Sequence, residues 1–96
     1  MNKHYPGEDY SVKATFQDEE DAFFDPDSHT VYLIDPHGDT RSETTSPTKL
    51  GAGLFKATLT IPANGTPGVW TIYWEITYQG EADKEEHRFR VHPSIV

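Results

Sequence analysis

The chain has 96 residues, no cysteine, and 16 Asp and Glu against eight Lys and Arg, for a formal net charge of −8 and a pI near 4.9. The absence of cysteine excludes disulfides, thiolate metal sites and cysteine nucleophiles, and the negative charge argues against nucleic acid and anionic membrane as partners. No apolar run approaches the roughly 20 residues that span a bilayer.

This length implies one domain, residues 1–96. At this size roughly 60–65% of the unfolded chain's surface is buried, so the core must be efficient and its aromatics carry much of the stability. The N-terminus, MNKHYPGEDY, has one lysine followed by polar residues and does not read as a signal peptide. With Met1 as the native start, synthesis and assembly in a cytoplasm are expected.

Alternation with period two recurs along the chain, and helical periodicity is nearly absent. Residues 9–16 set Tyr10, Val12, Ala14 and Phe16 against polar neighbours and read as a first strand. Residues 17–27 (QDEEDAFFDPD) form an acidic connection with a turn signal at Asp25-Pro26. Residues 29–34 (HTVYLI) are β-branched and aromatic, a second strand carrying Val31 and Leu33. They stop at DPHGD, where Pro36 fixes φ and Gly38 tolerates a positive one.

Residues 40–46 (TRSETTS) are polar and read as an edge strand closed by Pro47, with Thr44 a candidate contact on that edge. Residues 49–53 (KLGAG) read as a flexible turn. In 54–61 the positions of Phe55, Ala57, Leu59 and Ile61 give the clearest alternation of the chain. A loop over 62–68, with Asn64-Gly65 at its tip, leads into 69–78, where Trp70, Ile72, Trp74 and Ile76 share one face. Residues 79–86 (QGEADKEE) read as a polar turn, and 87–92 as a last strand with Phe89 and Val91 inward.

Six strands follow, and a seventh if 69–78 splits or 17–27 pairs. Turn signals every 8–12 residues point to an all-β sandwich. The expected core is Phe16, Val31, Leu33, Phe55, Leu59, Trp70, Ile72, Trp74, Phe89 and Val91. A Trp-Ile-Trp-Ile face in a chain without disulfides is best explained as core, since each buried aromatic contributes on the order of 2–3 kcal/mol.

The chemistry of a catalytic site is missing. There is no G-x-S-x-G elbow, no readable triad, no phosphate-cradling glycine loop and no apolar pocket beside the carboxylates, so a non-enzymatic protein without cofactor is expected. Six acids between Asp18 and Asp27 invite a calcium reading, but the spacing fits no EF-hand and a solvated loop explains them. The histidines at 4, 29, 37, 87 and 92 show no close ligand pair, although His29 and His87 would be joined if their strands were neighbours. Within the acidic loop, one of Phe23 and Phe24 is expected to staple the loop to the core and the other to stay exposed as a contact. Tyr73, Tyr78 or an exposed Trp74 would supply a stacking platform for a glycan or a surface.

Several stretches together resemble a class of small immunoglobulin-like or fibronectin-type-III-like proteins encoded among the structural genes of tailed bacteriophages and prophages. They are GEDYSVKATFQD (7–18), DPDSHTVYLIDPHGD (25–39), GAGLFKATLTIP (51–62), GVWTIYWEITYQG (68–80) and HRFRV (87–91). The carrying positions are Phe16-x-Asp18, Asp25-Pro26, Asp35-Pro36-x-Gly38, Gly53-x-Phe55-x-Ala57, Gly68-x-Trp70-x-x-x-Trp74 and Phe89-x-Val91. Acids at 18–24 stand where a glycine turn is common, and Phe55 stands where Tyr is more frequent.

The resemblance implies an antiparallel Ig-like sandwich of about seven strands. It also implies a virion component: a capsid decoration protein, a head–tail connector accessory or a tail-associated module. The partners it implies are phage capsid or tail proteins, with neither nucleic acid nor membrane. The alternative is a carbohydrate- or surface-binding adhesion module, extracellular or on a cell or host surface.

Overall fold

The computed structural model describes residues 3–93. Seven strands follow one another: β1 (Asp9–Thr15), β2 (Ser28–Ile34), β3 (Thr40–Thr44), β4 (Thr48–Gly51), β5 (Leu54–Thr60), β6 (Gly68–Tyr78) and β7 (Glu81–Val91). They form two antiparallel sheets packed as a sandwich, one in the order β1-β5-β4 and the other β3-β2-β6-β7. The all-β sandwich of seven strands is therefore the fold.

The seventh strand is neither a split of 69–78 nor a pairing of 17–27. It is β4, where a flexible turn was expected, and it pairs with β5 through Thr48–Lys56 and Lys49–Phe55 before its register shifts. Residues 48–51 carry no alternation, because only Gly51 of the four is even partly covered. β7 is the second correction. The expected polar turn over 79–86 shrinks to Gln79-Gly80, both at positive φ (52° and 82°), a two-residue hairpin turn that suits the twist of the strands beside it. The rest joins β7, which runs 11 residues in unbroken register with β6.

The alternating positions meet in the middle. Val31 sits opposite Trp74, Leu33 opposite Ile72, and Trp70 opposite Phe89; Ala14 faces Phe55 across the other sheet. Phe16, Val31, Leu33, Phe55, Leu59, Trp70, Ile72, Trp74, Phe89 and Val91 are all buried, joined by Ala14, Ala57, Ile61 and Ile76. Trp70 and Trp74 also satisfy their indole N–H groups, Trp70 Nε1 donating to the Thr66 carbonyl at 2.7 Å and Trp74 Nε1 to His29 Nδ1 at 3.1 Å. Aromatic burial thus comes without an orphaned donor.

The two sides of the sandwich are closed differently. On one side the chain itself crosses between sheets, from β3 through Ser46-Pro47 into β4. On the other side β1 and β7 face each other as unconnected sheet edges, with Tyr10 stacked on Phe89 at 3.8 Å between centroids and hydrogen-bonded to His87 Nε2 at 2.6 Å. Strands of 11 residues reach about 36 Å, strands of seven about 23 Å, so the β6–β7 hairpin overhangs the three-stranded sheet. The acidic loop covers part of the overhang, Phe24 stacking on Tyr78 at 4.2 Å.

Candidate functional site

The open side is where unassigned surface collects. β6 places Trp70, Ile72, Trp74 and Ile76 inward, and the register puts Phe89, His87, Glu85, Asp83 and Glu81 of β7 beside them on the same face. Phe89 is covered by Tyr10 of β1. From His87 back to Glu81 the inward-facing side chains of β7 are exposed, although the Tyr10 hydroxyl of β1 reaches across to His87. Three cavities that share lining residues run along this seam, two of them of about 350 and 580 Å³. Val12, Ala14, Trp74, Ile76 and Phe24 form the base, and the rims carry seven carboxylates against two lysines, Lys13 and Lys84. Glu85 feels this most: burial, then the neighbouring Asp83 carboxylate, pushes its pKa up.

The acidic loop forms one wall, and its own acids hold it in place. Asp18 Oδ1 accepts the N–H groups of Glu20 and Ala22, at 2.8 and 3.0 Å. Asp25 accepts Gly53 N–H at 2.9 Å and pairs with Lys49, and these contacts, Lys49 first, draw its pKa down. Asp27 Oδ2 accepts Gln79 N–H at 2.9 Å, fastening the loop to the hairpin turn. These oxygens serve as backbone and lysine acceptors, and among the described residues no three His, Asp or Glu side chains converge as a metal site.

The partner-contact residues expected from the sequence scatter. Phe24 and Tyr78 meet at one end of the cleft. Phe23 is 57% exposed and lies beside Gly53 in the β4–β5 turn, away from the cleft. Thr44 sits on β3, the opposite edge of the sheet, where its hydroxyl accepts Ser46 N–H. Tyr73 belongs to the outer face, with Lys84 Nζ 5.9 Å from its ring. The outer face also holds a shallow concavity of about 450 Å³ lined by Ser28, Thr30, Thr77 and Lys84, in which the Ser28 and Thr77 hydroxyls bond to each other. His29 and His87 do not meet, since β6 lies between their strands.

The reading from sequence missed Glu81, Asp83, Glu85 and His87. Their signal was the spacing of two within E-A-D-K-E-E-H, hidden because polar residues occupy both faces.

No family model and no curated protein matches this chain. Among solved structures it is similar to CopC from Methylosinus trichosporium OB3b, with 16% identity, a TM-score of 0.60, and coverage of 95% of this chain and 83% of that one. At that identity the likeness concerns the fold. It nevertheless overturns the functional expectation drawn above: the similar structure is a bacterial protein and not a phage structural module, so the assignment as a virion component is withdrawn. The adhesion alternative goes with it, and of its expected platform residues Trp74 is buried and Tyr78 stacks on Phe24, so that Tyr73 alone stands on the outer face.

Proposed function

We propose that this chain is a non-catalytic protein-binding domain that receives an extended segment of a partner along β7, at the open side of the sandwich. The observation that carries the reading is the unequal treatment of the two edges of the four-stranded sheet. β3 is short, five residues ending at Thr44, its pairing is interrupted by a register shift beside Leu33, and Pro47 follows three residues on. Those are the devices by which proteins blunt an edge against unwanted pairing. β7 is 11 residues long without a register shift, and its first eight residues are exposed. Among the described residues only its far end is covered, where His4 bridges Val91 and the His4 carbonyl accepts His92 N–H at 2.8 Å.

A long, regular, unpaired edge offers a row of backbone donors and acceptors that an added strand can satisfy, with side-chain sites beside it for specificity. The cleft at the base of β7 supplies such sites. The reading is tested by selecting binders from a random decapeptide display library and mapping them by NMR shift perturbation. Selected peptides are expected to perturb residues 81–90 and the cleft. Binders that map to β3 or to the outer Ser/Thr concavity, or a failure to select any, would refute it.

A further inference from the structure

Resting on that binding reading, we infer that the segment seated on β7 is a positively charged strand carrying Lys or Arg at alternate positions, in register with Glu85, Asp83 and Glu81. These three carboxylates share the inward face of β7, and along a strand they stand about 6.5–7 Å apart. An added strand repeats that spacing, so its side chains at i, i+2 and i+4 fall beside the three acids at cross-strand distance. All three acids line the cleft between the hairpin and the acidic loop or β1, where long basic side chains have room and apolar side chains at the base for their stems.

The charge row also selects against a second copy of this chain. Two antiparallel β7 edges related by a two-fold axis and centred on Asp83 would set Glu81 of each copy opposite Glu85 of the other, like against like. Inward-pointing charges are a known guard against self-pairing, and they admit a strand of opposite sign. The raised pKa of Glu85, from burial and Asp83, fits a row that gains from an incoming cation.

The probes are nine-residue capped peptides in which lysine, glutamine or glutamate alternates with valine and threonine, titrated by calorimetry against the wild-type chain and a Glu81→Gln/Asp83→Asn/Glu85→Gln variant. Tryptophan emission confirms that the variant keeps its core. The lysine peptide is expected to bind wild type, to weaken as salt rises, and to lose about tenfold or more on the variant, since exposed ion pairs each contribute a factor of roughly two to five. The glutamate peptide is expected not to bind. If glutamine and lysine peptides bind equally along β7, the charge inference fails and the edge reading stands. The same holds if the variant keeps full affinity for the lysine peptide. If no peptide of any charge binds, or if the chain dimerises through β7 in sedimentation, both fall.

Discussion

Trp70 and Trp74 show how single residues settle the character of the molecule. Both are fully covered and both donate their N–H to a named acceptor. Trp70→Ala therefore removes packing and leaves a void beside Ile61 and Gly65, and should cost about 3–5 kcal/mol of stability, read as a lower urea midpoint by circular dichroism. The partner of Trp74 makes the core sensitive to pH. His29 Nδ1 must stay unprotonated to accept the indole N–H, and burial among Phe16, Phe55 and Trp74 lowers its pKa, with Asp25 offsetting in part. Because the folded pKa lies below the unfolded one near 6.5, the unfolded chain takes the proton first. His29 thus stabilises the fold above that value and loses its contribution as pH falls below it. Denaturation midpoints measured from pH 7.5 to 5 should decline more steeply for wild type than for His29→Gln. Asp35 acts lower on the scale. Burial raises its pKa, but N–H bonds from Asp39 and His37 and the Arg41 guanidinium outweigh this and leave it lowered. Its support for the DPHGD turn is present above the ordinary carboxylate pKa and lost in acid.

At the scale of elements, what could be read from the sequence follows from which faces are buried. β1, β2, β5 and β6 are covered on one face and therefore alternate, and their inward residues identify themselves. β4 and most of β7 are barely covered on either face, so nothing in their composition separates strand from turn; pairing to a well-marked neighbour makes them strands. The Phe23-Phe24 pair was legible as one staple and one exposed ring, but which ring does which depends on how the loop crosses Gly53. That glycine holds a tight junction. Its φ is +67°, and a Cβ there would lie 2.7 Å from the Phe16 carbonyl oxygen. Gly80 also has positive φ (+82°) but nothing within 4 Å. Gly80→Ala should then cost only the left-handed conformation, about 1–2 kcal/mol, and Gly53→Ala clearly more. Thermal unfolding of the two variants side by side gives the comparison.

For the whole molecule, the sandwich is closed covalently on one side by the β3–β4 corner and left open on the other between β1 and β7. The charge of −8 is not spread evenly: the open side gathers seven carboxylates around an apolar base. Fold class was legible because periodicity reports burial. The site was not, because it is built from residues that repeat no pattern until β7 is known to be a strand overhanging its partner sheet. Resemblance in landmark order pointed to a phage particle and misled, since sandwiches in unrelated settings share the same turn and strand chemistry. The account turns on β7 being a free edge that a basic strand can complete. Residue-resolved amide hydrogen exchange, with and without the alternating lysine peptide, examines that most directly. The outward-pointing amides between Glu81 and Arg88 should exchange quickly in the free chain and become protected when the peptide is added, while β3 amides stay unchanged. Protection of those β7 amides before any peptide is added, or no change when it binds, would contradict the account.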